Sequence, residues 1–174
     1  VECELFEAHL NPYEPIHPYE ALSYVWGDPG NTVSIHVNQH DLQVTTNLHA
    51  ALLQLRNSFI DRYFWIDAIC INQADEEEKV QQIQLMYRIY SFAQRVLVWL
   101  GAEDTNSVQA LEGIRVAAGR QDALRWGDAM QAAIFALLER KWFRRLWVDL
   151  LDITEAALTF SYRSFKRSLQ LEAW

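Results

Sequence analysis

The sequence contains no run of 18 apolar residues, so no segment reads as a membrane-spanning helix. It has no glycine-rich phosphate loop and no serine in a nucleophile-elbow pattern. The GDPG stretch at Gly27–Gly30 lacks both the Walker lysine and the dinucleotide fingerprint. It reads as a tight turn, or as a loop that meets a ligand with backbone amides. Positive charge is scarce: 15 Lys and Arg stand against 23 Asp and Glu, a net charge of -8. That balance argues against bulk binding to nucleic acid or to an anionic membrane. The two cysteines, Cys3 and Cys70, are far apart and have no metal-ligand spacing. Cys70 lies in an apolar run and reads as a buried thiol in a reducing, cytoplasmic compartment. No two of the five histidines share a metal-ligand spacing on an expected helix; His36 and His40 merely straddle a turn. No metal site is expected. The first residues do not resemble a signal peptide, and Val1 already stands in a strand context. The chain reads as a piece of something longer.

What is present suits one globular domain with a real core. The chain has 174 residues, and 51% of them are apolar. Leu22–Trp26 is a short apolar strand closed by the Gly27–Gly30 turn. Val33, Ile35 and Val37 alternate with polar residues, and so do Leu42 and Val44 after the four residues Asn38–Asp41. Period 2 on both sides of a turn predicts a β-hairpin with one wet face. Thr46 or Asn47 caps a helix that carries Leu48, Ala51, Leu52 and Leu55 on one face.

A strand over Tyr63–Ile66 follows. Asp75 and Glu78 have capping-box spacing, and Glu76–Glu78 suit the positive end of the helix dipole. Val80, Ile83, Tyr87 and Tyr90 then predict a long helix that faces the core. VLVWL at Val96–Leu100 predicts a strand buried on both faces. Two more helices are expected over roughly Asn106–Ala118 and Gly127–Glu139. Strands alternating with helices point to a three-layer α/β domain with a small antiparallel addition.

The richest stretch is FWIDAICINQ, Phe64–Gln73. A buried strand that ends in polar side chains sets them at a sheet edge, where α/β proteins place their sites. Asp67, at the end of an apolar run, must be solvated, paired or hydrogen-bonded. It can cap the next turn, or orient Asn72 or a polar ligand. Asn72 and Gln73 each donate and accept, which suits either sugar or amide recognition or turn stabilisation. Trp142, Arg144, Arg145 and Trp147 form an aromatic–cationic cluster that could take phosphate or stack on a base. The plainer reading is tryptophans packing a helix end and arginines paired with the abundant carboxylates.

Three blocks resemble the HET (heterokaryon incompatibility) domain of filamentous fungi. They are YEALSYVWG at Tyr19–Gly27, WIDAICINQ at Trp65–Gln73, and WFRRLWV from Trp142. The second continues through Glu78, Gln82, Met86, Tyr90 and Ala93 to VLVWLG at Val96–Gly101, and Asn47-Leu48 with Ala51-Leu52 match the family's linking helix. The likeness runs from about Cys3 to Val148. It implies a TIR-like three-layer domain with a parallel central sheet and a small hairpin addition, spanning 1–160, with a poorly packed end over 161–174. It implies fungal non-self recognition that triggers programmed cell death, through self-association or a protein partner, with further domains flanking this one.

Some TIR domains cleave NAD with a glutamate four residues after a tryptophan. Counted from Trp147, that place holds Leu151, and Leu150 stands where the family has Gln. Leucine has no lone pair and no charge to offer a ribose or an oxocarbenium centre. Asp152 and Glu155 are the acids left for catalysis. Ser23, Tyr24, Trp26, Gly27, Asp67 and Asn72 are the residues through which the resemblance implies a pocket for NAD as substrate.

Overall fold

The computed structural model describes residues 1–10, 18–118 and 126–144. Two compact units part between Trp99 and Leu100. The first unit is α/β. Its central sheet is parallel, with strand order β5-β2-β6, where β2 is Glu20–Tyr24, β5 is Phe64–Trp65 and β6 is Arg95–Trp99. The register sets Glu20 beside both Phe64 and Arg95, and Tyr24 beside Trp99. Side chains alternate across a sheet, so Leu22, Tyr24, Leu97 and Trp99 share one face, while Ala21, Ser23, Trp65 and Val98 share the other.

The first face is covered by helix α1, Thr46–Leu55, and by a hairpin. Leu48, Ala51 and Leu52 of α1 are buried in one cluster with Leu22, Tyr24, Ile66 and the hairpin residues Ile35, Val37 and Val44. The i, i+3, i+4 spacing of the α1 residues makes that face a continuous apolar stripe. The hairpin pairs β3, Thr32–Val37, with β4, His40–Thr45, and β1, Glu2–Cys3, joins β3 in parallel. Its turn is two residues, not the four expected. Asn38 and Gln39 have φ of 48° and 67°. Positive φ at both centre positions is the tight turn whose twist matches the strands, here built without glycine.

The other face carries helix α3, Glu76–Phe92. Asp75 caps it, its carboxylate accepting from the amides of Glu77 and Glu78 at 2.9 and 3.1 Å. Glu78 reaches back past the cap to accept from the Asn72 amide at 3.0 Å. Tyr90 meets Trp65 edge to face and donates its hydroxyl to the Leu22 carbonyl at 3.1 Å. Tyr19 donates to the Ile89 carbonyl at 2.5 Å, and burial pushes its hydroxyl pKa up, which keeps it a donor. A helix on each face makes three layers.

Two expectations about this face fail. The helix is long, but Val80, Ile83 and Tyr87 are exposed and only Ile89 is fully buried. The reason is rotation. Ile89 and Tyr90 do the packing, and Val80 lies about half a turn around the helix from Ile89. The second failure is β6, which is not buried on both faces. Val98 is exposed, because β6 has a strand neighbour on one side only among the described residues. The strands themselves also shift. Pairing of β2 begins at Glu20 and stops at Tyr24, so Trp26 lies beyond it; pairing of β5 stops at Trp65, and Ile66 starts the next turn.

The lower end of the sheet is fixed by one carboxylate. Glu20 accepts from Nε of Arg62 at 2.9 Å and pairs with Arg95 at 3.2 Å, with its side chain only 11% exposed. Arg62 also donates to the Leu55 carbonyl at 2.7 Å and lies over the Phe64 ring.

The second unit packs helix α4, Thr105–Ala118, on α5, Asp128–Leu138, both close to the expected bounds. Ala110, Ala133, Ile134 and Leu137 are its buried centre. Asp104 and Ser107 cap α4 reciprocally, each amide donating to the other's side chain at 3.1 and 2.8 Å. The Ser107 amide, and then Arg140, hold the Asp104 carboxyl below its usual range. Trp142 packs edge to face on Phe143, which joins this core, so the packing half of the plainer reading holds for Trp142; Arg145 and Trp147 lie outside the described residues.

Glu20→Ala leaves two guanidinium groups around a site with no anion. Such a loss costs about 3–5 kcal/mol. Denaturant unfolding should show a fall of that order in the first unit, against almost none for Glu76→Ala, whose exposed pair with Lys79 is worth little.

Candidate functional site

Parallel strands put their C-terminal ends on one edge, so β2, β5 and β6 deliver Val25–Gly27, Asp67 and Trp99 to the same rim of the sheet. The segment after β2 is held at each residue. Asn47 donates from Nδ2 to the Val25 carbonyl at 2.6 Å. Thr45 donates its hydroxyl to the Trp26 carbonyl. The Trp26 indole donates to Asp67 Oδ2 at 2.8 Å. Gly27 has φ of 90°, and a Cβ there would stand 3.2 Å from Asn47 Cβ. Both the backbone angle and the closeness of Asn47 require glycine.

Asn47 uses both ends of its amide. Its Oδ1 accepts from the Trp99 indole at 2.9 Å while Nδ2 holds Val25. One side chain thus ties β2, α1 and β6 together. The role was legible only as a helix cap. Thr45 takes that position instead, accepting from the Leu48 amide at 3.3 Å. The run Thr45-Thr46-Asn47 offers three residues able to cap, and only the fold shows which of them is left over.

Asp67 does two things. It opens the four-residue helix α2, Asp67–Cys70, with Oδ1 accepting from the Ala68 amide at 2.8 Å, and it fixes Trp26 with Oδ2. It is half-buried, and the indole beside it is partly exposed. Of the residues through which the resemblance implies a pocket, Asp67 and Trp26 are thus in direct contact.

The other candidates have contacts of their own or lie outside the described residues. Tyr24 is buried in the core, and Ser23 is on the opposite face of β2. Asn72 closes its own turn, its Oδ1 accepting from the Ala74 amide at 3.1 Å, which is the turn-stabilising alternative. Gln73 donates to the Asp67 carbonyl at 3.0 Å and so braces the end of α2. Gly27–Gly30 is a tight turn, with Asp28 accepting from the Gly30 amide at 2.9 Å. Asp152 and Glu155, with Leu150 and Leu151, lie outside the described residues.

Cys70 is held toward its neutral form. Burial pushes its thiol pKa up, outweighing the Ile66 amide that points at the sulfur from 3.4 Å. A neutral thiol reacts slowly. Among the described residues no group of three or more His, Cys, Asp or Glu side chains could hold a metal. What the rim offers is an indole, a carboxylate oxygen and a rigid glycine turn. Such a surface can stack against a ring or accept a hydrogen bond, and it holds a fixed shape because its backbone carbonyls are already bonded.

The family match takes in this rim. The family model described as "Heterokaryon incompatibility protein (HET)" matches residues 19–149. "Heterokaryon incompatibility protein 6, OR allele" of Neurospora crassa is 43% identical over an alignment of 112 residues that covers 56% of this chain. The match spans only 16% of that relative's length. No solved structure matches.

Two outcomes follow from the geometry. Asn47→Ala strands the Val25 carbonyl and the Trp99 indole together, and should lower stability by about 2–3 kcal/mol in denaturant unfolding. Alkylation of Cys70 by iodoacetamide, followed by peptide mass spectrometry at neutral pH, should be slow in the native chain and rapid in guanidinium.

Proposed function

Because the chain belongs to the heterokaryon incompatibility family, whose model matches residues 19–149, we propose that it is a fungal non-self recognition module. Its output is programmed cell death, reached by self-association or by contact with a protein partner. It works in the cytoplasm, as one part of a longer protein. The match to the family over 19–149 carries this reading, and the named relative is a heterokaryon incompatibility protein of a filamentous fungus. No helix among the described residues is long and apolar enough to cross a membrane.

We place the recognition surface at the rim formed by Trp26, Gly27 and Asp67. The tryptophan is the anchor, since a partly exposed indole on a fixed backbone loses little freedom on binding. Asp67 sets the ring orientation. Ser23, Tyr24 and Asn72 support the surface from behind, through the strand and the following turn.

The competing reading is cleavage of NAD at the nicotinamide–ribose bond. It needs an acid among residues 150–155, and the sequence sets Leu151 where the family pattern calls for glutamate. Asp152 and Glu155 sit one and four residues further on, and a catalytic group misplaced by about 1 Å already loses roughly a hundredfold in rate. The signalling reading is therefore preferred.

Inducible expression in a filamentous fungus tests it. The parent chain should arrest growth. Asp67→Ala, which frees the Trp26 indole while leaving the sheet intact, should weaken the arrest at least about tenfold in colony survival. A harmless parent chain would sink the reading, and full toxicity of the variant would remove the rim from it. Nicotinamide release from NAD by the purified chain, abolished by Glu155→Gln, would favour the enzyme instead.

A further inference from the structure

Helix α3 is apolar on two faces. Ile89 faces inward and is buried. Turned away from it by about 180°, 120° and 160° around the helix, Val80, Ile83 and Tyr87 are 53%, 55% and 72% exposed. Their i, i+3, i+7 spacing makes one continuous stripe. A helix on the surface of a folded unit ordinarily turns its polar side to water, and a contiguous exposed apolar stripe marks an interaction surface.

The charges at the two ends of the stripe are opposite. Glu77 stands one turn before Val80, and Arg88 follows Tyr87 directly. Glu77 has no side-chain partner among the described residues. Arg88 donates to the Leu10 carbonyl at 2.9 Å and lies over the Phe92 ring, with no carboxylate on it among the described residues. The midpoint between Val80 and Tyr87 falls beside Ile83, and the midpoint between Glu77 and Arg88 falls within one residue of it. One residue is about 1.5 Å along a helix. Apolar and charged features therefore share one centre, which is the condition for a two-fold contact of a surface with itself.

We propose that the outward face of α3 is the self-association surface of this protein, and that its occupant is the same helix of a second copy, running antiparallel. Ile83 meets Ile83 of the second copy at the axis. Val80 packs on the other copy's Tyr87, and each Glu77 reaches an Arg88 across the dimer. A partner of unrelated sequence has no need of that symmetry, and a net charge of -8 disfavours an anionic membrane as occupant. The inference gives a surface to the self-association in the functional reading. Its readout is oligomeric state, so its failure is distinguishable from a failure of the cell-death assay.

Analytical ultracentrifugation of the purified chain tests it. The parent should show a concentration-dependent monomer–dimer equilibrium in the micromolar range. Ile83→Asp should weaken the dimer at least about tenfold, or roughly 1.4 kcal/mol. Glu77→Arg and Arg88→Glu should each weaken it too, and the two combined should restore it, because every cross-dimer pair is then opposite in sign again. All three positions are exposed, so far-UV circular dichroism should stay that of the parent. A parent that stays monomeric throughout that range overturns the proposal. So does a dimer indifferent to Ile83→Asp, or a double charge swap no tighter than the single ones.

Discussion

A single carboxylate sets the register of the parallel sheet. Glu20 sits at the first residue of the central strand and is bonded by Arg62 just before β5 and by Arg95 at the start of β6. Parallel strands have no turn to fix their alignment, so alignment must come from side chains or from the strand ends. Here the backbone adds two bonds at the same level: the Glu20 amide donates to the Tyr63 carbonyl, and the Gln94 amide to the Tyr19 carbonyl, each at 2.8 Å. A slip by one residue would break this cluster and turn Leu22 and Tyr24 out of the core. Everything at the far end of the sheet, including the meeting of Trp26 with Asp67, inherits its position from this alignment.

The far end is held differently. There the chain leaves its strands, and the freed carbonyls of Val25 and Trp26 would face either water or nothing. Asn47 and Thr45 satisfy them from α1 and the strand before it. The cost of an unmade bond exceeds the net gain of a made one, so these two polar side chains determine the shape of the rim more than the apolar contacts beneath it. The indole of Trp26 can then stand partly in water without wandering, since Asp67 fixes its outer edge.

Much of this was legible in the sequence, and the reasons differ from part to part. The hairpin followed from alternation on either side of Asn38–Asp41, α1 from its apolar stripe, and α3 from cap spacing at Asp75 and its apolar period. The core strands followed from apolar runs bounded by turn signals, and their parallel pairing only from the family resemblance. The failures have physical causes. Turn length at Asn38–Gln39 was hidden because left-handed backbone is usually marked by glycine, and none stands there. The orientation of α3 was hidden because the helix carries apolar residues on two sides, and periodicity finds a stripe without saying which stripe faces the sheet. Asp67 was legible because an acid at the end of a buried run must find a partner. Its partner's identity was less so, and Asn47 was not legible at all as the residue that holds the rim, since a nearby threonine competes for the same helix cap.

The strand order carries a consequence for how the chain acquires this shape. β2 is made early and lies at the centre, but one of its neighbours, β6, ends only at Trp99. The hairpin and α1, whose contacts are close in sequence, can form while the chain is still being synthesised. The central strand cannot complete its pairing until much later, and long-range parallel pairing is intrinsically slow. During that interval the apolar stretch Ala21–Tyr24 stands unpaired on one side, at the stage when a nascent chain is most open to aggregation or to a chaperone.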